Sequence, residues 1–211
     1  SAMEIVLTTL HAGGKFNEKI YQNSGGLHGV GLSVVNALSI NLEIKVYRKG
    51  YEFSQKYSRG KTKTKIKKIK CSKKMKGTEI TFQPDKEIFN ENIFNPKKIY
   101  NLLKVKAYLV KGSNIYWNCD KSVLKKDKIP LKEHFHFPNG IKDYLNIISQ
   151  NKKKLFEQSY YDNIKFEVGS DRFEIAINFN QDEEINNIKT YCNSIPTNDG
   201  GSHEIALKNG I

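Results

Sequence analysis

Gly25-Gly26-Leu27-His28-Gly29-Val30-Gly31 runs directly into Leu32-Ser33-Val34-Val35-Asn36-Ala37-Leu38. The second half repeats apolar residues at helical spacing, so the first half is the approach to a helix N-terminus. Glycines let successive amides turn inward and let an anion reach the backbone without meeting a side chain. The helix start adds unbonded N–H donors and a partial positive charge. Together they form a credible phosphate cradle; a glycine-rich turn that merely starts a helix is the competing reading. No Lys-Ser/Thr pair follows the last glycine, so this is not a P-loop. No strand precedes it, as a dinucleotide-binding loop requires.

Upstream, Leu10-His11-Ala12-Gly13-Gly14-Lys15-Phe16 supplies a second glycine pair. Lys15 can reach the same anion as a mobile point charge. Alone, the pair is equally a helix end with a solvated lysine. Ser1-Ala2-Met3-Glu4 fits a capping box, and Val6, Leu7 and Leu10 continue an apolar helical face that Gly13-Gly14 ends. Downstream, Leu42–Tyr47 alternates as a strand, Lys49-Gly50 fits a hairpin turn, and Glu52–Tyr57 forms the return strand. Residues 61–76 are lysine-rich, an exposed hairpin or loop. Thr78–Phe82 is a strand closed by Pro84, and 96–109 is a helix with Pro96 in its first turn. Asn114–Asn118 is a strand and 120–133 a lysine-rich connection. Composition breaks near His134–Gly140. Beyond it come a helix over Ile141–Ile148, strands at Asn163–Val168, Arg172–Phe179 and Ile188–Cys192, and a helix turn from Ala206. The fold class is α+β in two parts, 1–133 and 134–211.

The chain has 211 residues, 38% hydrophobic and 27% charged, which is enough apolar material for a core and excludes general disorder. Its net charge of +13 suits a polyanion partner but names none. Lysine supplies nearly all of it, the only arginines being Arg48, Arg59 and Arg172, and AT-biased coding is a rival source of such a surplus. Cys71, Cys119 and Cys192 are odd in number and far apart, against a disulfide framework or zinc knuckle. No apolar run nears the roughly 20 residues of a membrane span, and no signal-peptide pattern opens the chain. The expectation is a soluble intracellular chain with no membrane partner.

Leu10–Phe16, Tyr21, Ser24–Gly31 and Ser33–Ser39, read together as "LHAGGKF … SGGLHGVG.SVVNALS", resemble the ATP-lid region of the B subunits of bacterial type IIA DNA topoisomerases, within the GHKL ATPase superfamily. The likeness continues through Gly77–Phe82 and Phe135–Ile141 and ends in Ile195–Glu204. Gln22 after Tyr21, Leu103–Leu109 and "IPT…GGSHE" lean toward the topoisomerase IV branch over the gyrase branch.

The resemblance implies a partial GHKL sandwich of helices on a mixed sheet over 1–133. Part of a ribosomal-S5-like transducer domain would follow over 134–211. It implies ATP as ligand, with Gly25, Gly26, Leu27, His28, Gly29, Val30 and Gly31 closing over the triphosphate and Lys15 adding charge. Tyr21 would touch the adenine side and Thr78 would join adenine through water. Arg48 would stand at the pocket rim, and Val6 and Leu7 would contact the base. Implied partners are double-stranded DNA, the A subunit of topoisomerase IV, and a second B subunit on ATP binding. The implied setting is the cytoplasm, at the nucleoid.

The implied activity is ATP-driven strand passage, with decatenation and relaxation. Gyrase-type negative supercoiling is one alternative, and a basic nucleic-acid-binding module without ATPase activity is another. The family's catalytic glutamate and its magnesium-ligand asparagine have no counterpart here. No catalytic or metal residue is therefore assigned, Mg2+ is expected to be held outside this stretch, and the polypeptide is expected not to hydrolyse ATP alone. His134-Phe135-His136 puts two imidazoles on one strand face with no third ligand in register, and Asp182-Glu183-Glu184 reads as a solvated turn.

Overall fold

Ser1 starts the first helix, α1 (Ala2–Thr8), by accepting a hydrogen bond through its hydroxyl from the Glu4 amide at 3.2 Å. The reciprocal half of the capping box is replaced, because the Glu4 carboxylate accepts from the Thr62 hydroxyl at 3.2 Å. The helix stops at Thr8, short of the expected glycine pair: Thr9 is extended and His11 takes φ 59°, which a right-handed helix cannot continue. This computed structural model describes residues 1–12, 28–90, 94–124, 128–166, 172–181 and 188–211. They form two compact units, Ser1–Ile93 and Phe94–Ile211.

In the first unit, α2 (Gly31–Ala37) leads into β1 (Ser39–Arg48). Strands β2 (Tyr51–Ser58), β3 (Lys61–Thr62), β4 (Lys67–Lys70) and β5 (Gly77–Pro84) complete an antiparallel sheet. Its order is β3-β2-β1-β5, with β4 also on β2. The β1–β2 turn is Lys49-Gly50 (φ 51° and 78°) and the β2–β3 turn Arg59-Gly60 (φ 50° and 78°). Two-residue hairpin turns with positive φ at both centres match the right-handed twist of the strands, which fixes the register. The core is Leu7 of α1 against Leu42, Ile44 and Tyr57, with Met3, Val35 and Val46 at its margin. These strand residues share one face by the two-residue period.

The second unit packs α3 (Pro96–Leu109) on a hairpin of β6 (Asn114–Asn118) and β7 (Lys132–His136). Asn95 caps α3 by accepting from the Lys98 amide at 3.0 Å. The core is Ala107, Tyr108, Trp117, Phe135 and Phe137. The expected 133/134 boundary falls inside β7, between the partners of Trp117 and Tyr116. Next come α4 (Ile141–Ile148), the hairpin β8 (Tyr160–Lys165) and β9 (Arg172–Ile177), the short pair β10 (Tyr191–Cys192) and β11 (Ile195–Pro196), and α5 (Ser202–Gly210). Helix α5 begins at Ser202, a turn before the expected Ala206, and the strand expected over Ile188–Cys192 is confined to its last two residues. Gly140 precedes α4 at φ 62°, and a Cβ there would lie 3.2 Å from the Tyr108 carbonyl oxygen. A side chain at that position would therefore be strained and crowded.

Candidate nucleotide site

The described end of the glycine run enters α2 as its sequence requires. Gly29 has φ 60°, a left-handed conformation that glycine adopts without penalty. Val30 caps α2 with no side-chain hydrogen bond to its first amides. Ser33, which could have competed for them, turns its hydroxyl back to the Val30 carbonyl at 2.9 Å. Among the described residues, nothing stands within 4 Å of a Cβ at Gly31, the space a phosphate cradle needs there.

Two contacts fix this entrance to α1. The His11 Nδ1–H donates to the His28 carbonyl at 3.0 Å, and the two imidazoles meet edge to face at 5.8 Å. Asn36, fully buried on α2, donates from Nδ2 to the Leu7 carbonyl at 2.9 Å. The chain thus leaves from His11 and returns at His28 to the same point. Lys15, Tyr21, Gly25, Gly26 and Leu27 lie outside the described residues. His11 and Asn36 carry the anchoring, and neither stood out as a site residue in the sequence. The signal for Asn36 was an amide among the apolar positions of a short helix.

Strand register brings Arg48 and Thr78 together. Val46 pairs with Thr78 across β1–β5, and Arg48 lies two residues beyond Val46 on the same face. Both are exposed, and they share the face that carries Leu42, Ile44 and Val46. Val6 is half-buried on α1. Leu7 is wholly buried against Leu42, Ile44 and Tyr57, on that same face of the sheet.

Behind the entrance sits an ion cluster that the sequence did not reveal. Asp85, 2% exposed, meets Arg59 Nε at 2.5 Å, and Arg59 also reaches the Glu87 carboxylate at 2.6 Å. The Glu87 amide donates to Asp85, and this bond, then Arg59, holds the Asp85 carboxyl below its ordinary value. Arg59 and Asp85 bracket α2 and β1: the Arg59 amide donates to the Ser39 carbonyl at 2.7 Å and the Asp85 amide to the Leu38 carbonyl at 2.9 Å. Tyr57 donates to the Gln55 amide oxygen at 2.7 Å, and burial, then the Glu4 charge, pushes its hydroxyl up to about 12.

Among the described residues no three His, Cys, Asp or Glu side chains converge as a metal site. His134 and His136 do share a face of β7, their rings stacked at 5.9 Å, but they are bonded to Asn114 and to the Ser113 carbonyl. No helix among the described residues is long and apolar enough to cross a membrane.

Residues 140–211 match the family model of DNA gyrase B. The whole chain is 46% identical to the DNA topoisomerase 4 B subunit of Rickettsia felis and 45% identical to that of Rickettsia prowazekii, covering 100% of this chain and 32% of each relative. The DNA gyrase B subunit of Archaeoglobus fulgidus is 40% identical, again over 100% of this chain and 32% of the relative. The chain thus spans about a third of the length of these relatives. Among solved structures, the 43K ATPase domain of Thermus thermophilus gyrase B in complex with an aminocoumarin aligns with TM-score 0.76 at 29% identity, covering 98% of this chain and 50% of that one. The topoisomerase IV ATP-binding domain of Francisella tularensis in complex with a small-molecule inhibitor aligns with TM-score 0.65 at 30% identity, covering 99% and 51%.

Proposed function

We propose a function from the premise that this chain belongs, as a segment, to the B subunits of the type IIA DNA topoisomerases. It is the part of a topoisomerase IV B subunit that closes over ATP and passes the effect of binding toward DNA. The observation that carries this is the match along the entire chain to a topoisomerase 4 B subunit at 46% identity, joined to a glycine start of α2 that no described residue crowds.

ATP supplies the phosphate charge that the lid amides answer. Backbone N–H groups of Gly25–Gly31 would bind the triphosphate, with Lys15 adding a positive charge. Thr78 and Arg48 would face the adenine side and the rim from one sheet face, with Tyr21 and Val6 against the base. Mg2+ would be held by residues outside this segment, as would the group that activates water. Binding would bring two B subunits together, and hydrolysis would reset the clamp around a transported duplex gated with the A subunits. In this reading the first unit serves the nucleotide and the later part of the chain, which includes residues 140–211 matched by the gyrase B family model, the transducer.

The same family model and the 0.76 TM-score to the Thermus gyrase domain favour a second reading, a gyrase B subunit. Reconstitution of the full-length protein with its A-type partner separates the two. ATP-dependent decatenation without supercoiling supports the first reading, and negative supercoiling of relaxed plasmid supports the second. Neither activity in a folded, complete assembly overturns both.

A further inference from the structure

The charge of this chain is concentrated rather than spread. Residues 61–76 hold nine lysines and no Asp or Glu, so the remaining 26 basic residues face all 22 acidic ones. A coding bias would raise lysine along the whole chain; here most of the +13 surplus stands on one stretch. All nine lysines are exposed, and among the ion pairs of the described residues none involves them.

Their placement makes a ridge. Strand β4 pairs with β2 from Tyr51↔Lys70 to Ser54↔Lys67, which sets Lys68 and Lys70 on one face of the sheet and Lys67 on the other. The turns on either side carry Lys63 and Lys65 before β4 and Lys73, Lys74 and Lys76 after it. Loop 62–64 is held to the sheet: the Lys63 amide donates to the Lys56 carbonyl at 2.9 Å, and Gln55 Nε2 donates to the Thr64 carbonyl at 3.0 Å. The Cys71 amide donates to the Gly50 carbonyl at 2.8 Å. The ridge therefore has a backbone set by the sheet, unlike a loose basic tail.

We propose that this edge, β3 and β4 with their flanking turns, is a binding surface for the sugar-phosphate backbone of duplex DNA. The proposal rests on the reading of the chain as part of a DNA-handling protein. Single-strand binders add aromatic faces on which bases stack. Here the nearest aromatics, Tyr51 and Phe53, each carry the Lys68 ammonium over one ring face, at 4.1 and 5.8 Å from their centroids. What remains is charge alone, the chemistry of sequence-blind contact with phosphates.

The test titrates a labelled duplex with the 211-residue chain at several salt concentrations. It compares the wild type, the triple variant Lys67→Ala, Lys70→Ala, Lys74→Ala, and a control triple variant in the second unit, Lys97→Ala, Lys98→Ala, Lys121→Ala. Each lost phosphate contact lowers the slope of log K against log salt by about 0.9, so the ridge variant loses about 2.7 and binds on the order of hundred-fold more weakly at about 0.1 M salt. The control keeps the wild-type slope. Equal slopes for both variants, no duplex binding by the wild type, tighter binding of a single strand of equal length, or preference for phosphatidylserine vesicles over duplex would each overturn the proposal. ATP-analogue binding by the full-length protein carrying the ridge variant is expected to equal wild type. If it does and the slopes do not change, the ridge has failed while the nucleotide reading stands.

Discussion

Leu7→Ala tests the coupling between the core and the entrance to α2. Leu7 has no exposed surface and packs on Leu42, Ile44 and Tyr57, the other buried apolar residues of the first unit among the described residues. The substitution removes three carbon atoms, about 2.4 kcal/mol of transfer free energy at about 0.8 kcal/mol per methylene. A cavity penalty adds to this, because Leu42, Ile44 and Tyr57 are held by strand pairing on β1 and β2 and cannot close the gap. The expected cost is about 3 to 4 kcal/mol. With a slope of about 2 kcal/mol per molar urea, the midpoint of the first unit falls by about 1.5 to 2 M. Trp117, the only tryptophan, sits in the core of the second unit, so its fluorescence follows that unit. Hydrogen exchange at β1 and β2 amides is the proper readout, with Ile5→Ala, at a half-exposed position on the same helix, as control. The control is expected within about 0.5 kcal/mol of wild type. A cost below about 1 kcal/mol for Leu7→Ala would refute the packing argument, as would equal costs for the two variants.

Three further outcomes follow from the same geometry. The Asp85 carboxyl is held below its ordinary value of 3.8, so its contribution to stability is present above that pH and is lost as pH falls through the folded value. Arg59→Ala is expected to raise the pH of acid unfolding and Asp85→Asn to flatten this acid limb; an unchanged midpoint in Arg59→Ala contradicts the assignment. The Tyr57 hydroxyl, pushed up to about 12, makes its contribution below pH 10 and loses it as pH rises toward 12, so Tyr57→Phe is expected to flatten the alkaline limb of an unfolding titration. His11→Ala removes the donor to the His28 carbonyl and is expected to speed hydrogen exchange at Gly29 and Val30; unchanged rates would show that the two ends are held without it.

Helix α2, strands β1 and β2 and their Lys49-Gly50 turn were legible, because helical spacing, strict alternation and a turn pair agree there. The family resemblance was legible too, carried by the glycine run and by the order of motifs along the chain. The end of α1 was not: Leu10 extends the apolar period, yet it is exposed and His11 has already turned left-handed. Residues 61–76 read as an exposed hairpin or loop; the hairpin holds, but the place of β4 was not legible, since three of its four residues are lysines and it exists through pairing with β2. Asp85 drew no reading, because its burial goes with Arg59, distant in sequence, which no local pattern signals. Leu7 was readable as apolar, but its packing on Leu42, Ile44 and Tyr57 was not, because those partners lie far away in sequence.

The most direct test of the central reading, that the glycine entrance receives ATP phosphates, is a calorimetric titration of a non-hydrolysable ATP analogue into the full-length protein, wild type and Gly31→Ala. A methyl group at Gly31 meets no described atom within 4 Å, so the variant is expected to keep its melting temperature. It would obstruct a group approaching the backbone at that point. The reading predicts one site in the wild type and an affinity at least about tenfold weaker, about 1.4 kcal/mol, in Gly31→Ala. No binding by the folded wild type, or equal affinity in the two proteins, would contradict it.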